Sequence, residues 1–234
     1  MAWRRNLSAV LPAAATLLVA VVGCADSPDR AAYSGATPRA AIQPSSSPSG
    51  APPGAEVLGT VRVGEPFTVT VLASNTTNDP DRWKFTVESV VCGKPLDPAV
   101  MAHAAESVGA PTPTPTPETG KQFCVLTMQA VNAGKSEGIW DASSTVSLNV
   151  GDTRYTESQA DADYASDYAQ YWYDKGQVAP TFGINPGSKG PVHGVFQIPA
   201  GDKPTSLWVT SGTAIETVDG IEPGYLVQLN ESGP

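Results

Sequence analysis

The chain predicts an all-β fold, an antiparallel β-sandwich of one domain, and three observations lead there. Short runs in which apolar residues alternate recur from Glu56 onward, the pattern of half-buried strands. Clusters of turn residues separate those runs. A Gly151-Asp152 pair stands between "STVSLNV" and "TRYT", the signal of a two-residue type II′ hairpin.

An export segment comes first. Arg4 and Arg5 precede an apolar run from Leu7 to Val22, interrupted only by Pro12, as in a signal peptide. The run falls short of the ~20 residues that span a bilayer comfortably, which tells against a transmembrane anchor. It ends in "VVGC", which resembles the bacterial lipobox, whose cysteine thiol is diacylated and whose chain is cut before it. Residues 1–23 are thus read as a lipoprotein signal peptide and Cys24 as the lipidated first residue. That places the mature chain on the outer face of the bacterial cytoplasmic membrane. The arginine pair leaves the twin-arginine export route open.

Cysteine arithmetic follows. Of three cysteines, Cys24 takes lipid, and Cys92 and Cys124 remain as an even pair in an oxidising compartment. They are expected to form a disulfide; the alternative is two buried free thiols. Without the signal, 12 Lys+Arg face 23 Asp+Glu, a net charge of −11. Such a surface argues against nucleic acid or anionic lipid as a partner held by charge. Lipid, not a basic patch, is what attaches the chain to the membrane.

Residues 24–55 read as the lipidated cysteine and a disordered tether. In 25–55, Ala, Ser, Pro and Gly make up 23 of 31 residues, too poor in hydrophobic side chains to fold. Such a coil spans ~30 Å on average. The domain is assigned to 56–234, ample for one core. Its first clear alternations are "PFTVTVLA" and "RWKFTVESVV". "QFCVLTMQAV" is apolar on both faces and reads as a central strand. "STVSLNV", "TRYT", "GVFQI", "SLWVT" and "GYLVQL" follow.

Two insertions break this rhythm. In "LDPAVMAHAAESVG", Asp97 suits an N-cap and Pro98 the first helical position, so a short helix should run to about Ser107. After it, "APTPTPTPETG" alternates proline through 110–120, which favours an extended chain without hydrogen bonds. It reads either as a stiff spacer or as a carrier of O-linked sugar on Thr112, Thr114 and Thr116. The second insertion, 156–176, has Ser158 with Asp161 three on as a capping box, and Lys175-Gly176 as a stop. Tyr164, Tyr168, Tyr171 and Trp172 share one helical face. That face either packs on the sandwich or forms an exposed aromatic patch for a peptide, glycan or protein.

Signals for chemistry are sparse. His103 lies on the first helix and His193 in "GPVHGVF", with no nucleophile motif beside either, and both read as surface or turn residues. Two distant histidines make no zinc pattern. Asp161, Asp163 and Asp167 in "DADYASD" lack the ligand spacing and glycine of a calcium loop, so they read as a solvated acidic face. No catalytic, metal or cofactor site is expected.

The segment "GINPGSKGPVHGVFQIPAGDKPTSLWV", residues 183–209, resembles a bacterial family of extracellular immunoglobulin-like domains of unknown function, some of them secreted immunogenic antigens. Its members show an Asn-Pro-Gly turn, here Asn185-Pro186-Gly187. A glycine-containing strand with an aromatic residue and a proline-ended edge follows, here Phe196 with Ile198-Pro199. Then a strand follows a lysine/proline-rich turn, here Leu207-Trp208-Val209. "LNVGDTRYT" resembles the preceding hairpin. The likeness covers 56–229 and implies an Ig-like sandwich, with no agreed catalytic residues. Two departures stand out. The Pro/Thr loop and the tyrosine-rich insertion are longer than the family's connections. Trp83 precedes Cys92 and Trp140 follows Cys124, unlike an antibody domain, whose tryptophan lies between its bridged cysteines. The functional expectation is a membrane-anchored, non-catalytic domain presenting a surface to an envelope protein. The alternative is a small-ligand or glycan-binding accessory to a transporter or wall enzyme.

Overall fold

The computed structural model describes residues 49–71, 81–143, 145–210 and 222–229. Cys24 and the signal peptide therefore lie outside the described residues.

The elements run β1 (Val57–Arg62), β2 (Pro66–Val71), β3 (Asp81–Cys92), α1 (Pro98–Ser107), β4 (Lys121–Asn132), β5 (Val146–Val150), β6 (Thr153–Tyr155), α2 (Gln159–Asp174), β7 (Lys189–Pro199), β8 (Ser206–Thr210) and β9 (Gly224–Gln228). A short 3-10 turn occupies Pro180–Phe182. They form two facing sheets, one ordered β1-β9-β8-β5-β6 and the other β2-β3-β4-β7. The fold is thus the β-sandwich with two inserted helices that the alternation predicts. No helix among the described residues is long and apolar enough to cross a membrane.

Two details differ from the sequence reading. The five-stranded sheet is mixed, because β1 pairs with β9 in parallel. No hairpin links these distant strands, so local chemistry does not set their relative direction. Residues 49–52, read from composition as tether, are docked on the domain. Ser49 Oγ donates to Asp152 Oδ1 at 2.8 Å, Asn149 Nδ2 donates to the Gly50 carbonyl at 2.9 Å, and Pro52 is buried. Asn149 and Ser206 alternate with the core residues Leu148 and Leu207, so residues 49–52 strap the outer face of the five-stranded sheet. Polar side chains and backbone carbonyls hold that strap, and hydrophobic periodicity does not register them.

The main core lies between the sheets. Phe85 contacts Phe67 at 5.7 Å, Trp83 at 6.3 Å and Trp140 at 4.3 Å between ring centroids, and Phe67 reaches Tyr225 on β9 at 5.0 Å. An aromatic chain thereby joins the two sheets. β4 is buried on both faces: Cys124, Leu126 and Met128 face this core, while Phe123 and Val125 face the helices. The hairpin between β5 and β6 turns at Gly151, whose φ of 57° is costly for a residue with a Cβ. Gly190 has a different reason. A Cβ there would run into the Val178 carbonyl, where the connection from α2 crosses β7.

Cys92 and Cys124 are bonded and stand directly opposite each other in the β3–β4 register. The bridge lies within one sheet, unlike the inter-sheet bridge of antibody domains. It closes the loop that holds α1 and the Pro/Thr segment, with a sequence separation of 32. In the chain-entropy account such a loop closure is worth about 3–4 kcal/mol. Replacing Cys92 and Cys124 together by alanine should therefore lower unfolding stability by about that much. Urea melts of wild type and variant check it, and a variant melting with wild type would refute the assignment.

Candidate functional site

The sequence places its candidate surface on α2, and the structure shows how that helix is held. Ser158 caps it: the Asp161 amide donates to Ser158 Oγ at 3.2 Å, and the Ser158 amide and hydroxyl donate to Asp161 Oδ2 at 3.2 and 2.7 Å. The other oxygen, Asp161 Oδ1, accepts from Gln197 Nε2 of β7 at 2.7 Å. Asp161 is buried, so it is a structural clamp and not part of a solvated acidic face. Asp163 does face water, where it accepts from Gln159. Asp167 is half-buried, and burial, reinforced by the Asp163 charge, raises its pKa.

The four aromatic residues named from the sequence do not form one open patch. Tyr168 is 6% exposed; its hydroxyl accepts from the Asp97 amide at 2.8 Å and its ring stacks on His193 at 5.0 Å. Tyr164 packs edge-on to Phe123 at 6.0 Å. Tyr171 meets His103 at 5.5 Å and Trp172 at 5.2 Å, with Lys175 Nζ 5.4 Å from its ring centre. The cause is the outer face of β4 and β7. Phe123 and Val195 there would be wet without cover, and α2 supplies it together with Val100 and Met101 of α1. Tyr168 and Trp172 also line one wall of a groove of about 410 Å³, which Lys94, Asp97, Val125 and Thr127 complete.

The open aromatic surface begins one residue further along the helix. Tyr173 is 53% exposed and meets Phe182, 43% exposed, edge to face at 5.3 Å. Ile139, 65% exposed, lies against Gly183, the residue after Phe182. Gly138 and Ile184 exchange backbone hydrogen bonds at 3.1 and 2.9 Å, and the Trp140 amide donates to the Pro180 carbonyl at 3.2 Å. That short ribbon sets Ile139 against Gly183, next to Phe182. Tyr173 lies off the face shared by Tyr164, Tyr168 and Tyr171, and the sequence reading did not single it out. Only the packing of the Pro180–Phe182 turn against it makes a patch.

The expectation of surface or turn residues fails for His193, whereas His103 is half-buried on α1. His193 sits on β7 under Tyr168, and burial lowers its pKa to about 4, so its ring is neutral. His103 Nε2 lies 3.2 Å from Asp174 Oδ2. Glu157, just before α2, accepts the free edge amide of Val195 through Oε1 at 2.7 Å, while its Oε2 is buried without a partner. Burial raises its pKa to about 7, against the lowering effect of the Val195 hydrogen bond and with help from Asp141 and Asp161. Glu157 and His193 share the wall of a cavity of about 220 Å³ with Asp141, Ser143, Asp163 and Thr181. Among the described residues no group of three or more His, Cys, Asp or Glu side chains is placed to hold a metal ion.

No family model matches this chain. It is 31% identical over 125 residues to replicase polyprotein 1ab of two isolates of porcine reproductive and respiratory syndrome virus, covering 47% of this chain. It spans only 3% of the length of those polyproteins, so their activities carry nothing over. Among solved structures it is similar to MPT63, a secreted protein of Mycobacterium tuberculosis, at 13% identity and TM-score 0.40, covering 72% of this chain and 95% of that one. An uncharacterised β-sandwich protein of Clostridium difficile gives 14% identity and TM-score 0.39, covering 75% and 96%. The yjhA protein of Bacillus subtilis gives 17% and 0.36, covering 73% and 99%.

Two predictions follow from this geometry. Tyr168→Ala should cost about 3–5 kcal/mol of stability, whereas Tyr173→Ala should stay within about 0.5 kcal/mol. Chemical melts at neutral pH distinguish them, and equal losses would contradict the division into core and surface. The second concerns pH. The raised Glu157 pKa gives stability that is fully present below about 4.5 and lost as pH rises through about 7. The lowered His193 pKa gives stability present above about 6.5 and lost as pH falls through about 4. The two slopes oppose each other between about 4.5 and 6.5. Glu157→Gln should remove the first, leaving stability that climbs from pH 4 to 6.5 and exceeds wild type at pH 8 by up to roughly 3 kcal/mol. Urea midpoints measured from pH 4 to 8 read this directly, and parallel profiles for variant and wild type would refute it.

Proposed function

We propose that this chain is an extracytoplasmic lipoprotein, held by lipid on Cys24 to the outer face of the bacterial cytoplasmic membrane, whose sandwich presents a surface to an envelope protein. The observation that carries the reading is the exposed Tyr173–Phe182 ring pair, with exposed Ile139 against the adjoining Gly183. Contiguous apolar surface of this kind marks interaction sites on folded domains, and tyrosine is a favoured anchor because it is apolar along its body and polar at its tip. The mature net charge of −11 turns the partner away from nucleic acid and anionic lipid. The reading is non-catalytic because the sequence carries no nucleophile motif beside either histidine. The disulfide suits an oxidising compartment.

A second reading has its own observation. The groove lined by Tyr168 and Trp172 offers aromatic surface with Lys94, Asp97 and Thr127 as polar groups, the make-up of a small-ligand or sugar site.

Crosslinking of the lipidated protein in its native membrane, followed by mass spectrometry, tests the first. A stoichiometric protein linked close to residues 173–182 is expected. A variant with Tyr173→Ser and Phe182→Ser should keep its melting midpoint and lose the crosslink. If the folded, anchored domain captures no protein, the first reading fails. A thermal shift with wall fragments or sugars that disappears in Trp172→Ala would then favour the groove.

A further inference from the structure

The Pro/Thr segment between α1 and β4 is not used by the patch, the groove or the cavity. Residues 111–117 read Pro-Thr-Pro-Thr-Pro-Thr-Pro, so each threonine lies between two prolines. Proline fixes its own φ near −65°, and a residue before proline is pushed away from helical backbone, which together hold the chain extended. Among the described residues no backbone or side-chain hydrogen bond involves residues 111–117, and Thr112, Thr114 and Thr116 are all exposed. Pro115 and Pro117 are half-buried, whereas the threonines that alternate with them are exposed.

The ends of this segment are fixed. The Ala110 amide donates to the Ala105 carbonyl at 2.9 Å, closing α1. The Glu118 amide donates to Gln197 Oε1 at 2.7 Å, and the Lys121 amide to the Glu118 carbonyl at 2.9 Å, opening β4. Beyond both lies the Cys92–Cys124 bridge, which returns the excursion to the strand pair it left. A spacer holds two bodies apart, and this segment does not: it joins α1 to β4 inside one excursion that leaves and rejoins a single sheet. What it offers is an extended backbone and three identical threonine hydroxyls, none hydrogen-bonded among the described residues.

We propose that Thr112, Thr114 and Thr116 are acceptor sites for O-linked hexose. Threonine- and proline-rich composition is that of O-glycosylated stalks, and here the folded domain presents such a stretch as a fixed, extended substrate. A separate transferase supplies the chemistry with a phosphate-activated hexose, either polyprenyl- or nucleotide-linked. The threonine Oγ1 bonds to the anomeric carbon as the bond from that carbon to the phosphate oxygen breaks. The phosphate leaves with the electron pair, and the hydroxyl proton passes to a base of the transferase. Nothing is oxidised or reduced. The proposal rests on the reading above only in requiring that the chain pass a transferase during export.

Full-length chain purified from the membranes of the cell that makes it provides the test, by intact mass and by fragmentation of the peptide carrying residues 110–120. A ladder spaced by one hexose mass is expected, mapped to these threonines. It should be lost in the triple variant Thr112→Ala, Thr114→Ala, Thr116→Ala, with the melting midpoint unmoved because the side chains are exposed. A peptide 110–120 at its unmodified mass overturns the proposal, as does sugar found only elsewhere. The Cys24 peptide of the same sample reports lipidation separately. A lipidated chain with a bare Pro/Thr segment refutes the sugar and leaves the anchor standing, whereas sugar on an unlipidated chain upholds the sugar and refutes the anchor.

Discussion

The structure depends on one strand, β4, being apolar on both of its faces. Its inward residues, Cys124, Leu126 and Met128, close the sandwich against the five-stranded sheet. Its outward residues, Phe123 and Val125, leave a second apolar surface that water would penalise. That surface is why a sandwich of this size carries helices at all. α1 and α2 exist as cover, and each apolar side chain they lay down on β4 and β7 is one that an ordinary outward strand face would replace by a polar residue. The disulfide at the start of β4 ties α1 to the same strand.

Cover has to be held in register, and here polar groups do it. Asp161 joins the cap of α2 to Gln197 on β7, and Glu157 accepts the free edge amide of Val195. An unpaired edge amide invites another strand, so the Glu157 carboxylate both docks the helix and blocks that edge. Placing it there takes it out of water. The same burial leaves His193 neutral beneath Tyr168. The acid and the imidazole respond to pH in opposite directions, and the domain's seam is buffered between them.

What the cover leaves open follows from helix geometry. Tyr173 comes five residues after Tyr168, about 140° round the helix, and so cannot share the face that packs on the sheet. It meets Phe182 only because the chain leaving α2 turns back through Pro180, and Ile139 arrives from the loop between β4 and β5. Two distant stretches of sequence, the end of α2 with its following turn and the loop carrying Ile139, thus build the patch. The Pro/Thr segment is the reverse case. Its conformation is written locally in its prolines, and the fold adds the fixed ends and the choice of which side faces out.

Properties that depend on neighbours along the chain were legible in the sequence: the alternation of β2, β3 and β5, the two-faced apolar run of β4, the Gly151 hairpin, and the caps at Asp97 and Ser158. Each is a local rule acting within a few residues, and each element formed close to where those rules put it. The direction of β1, the docking of residues 49–52, the burial of Asp161 and His193, and the split between covered Tyr168 and open Tyr173 were not legible. They depend on which distant surfaces meet. A residue's alternation or helical phase says which way its side chain leaves the backbone, but only the assembled sheets decide whether protein or water lies on that side.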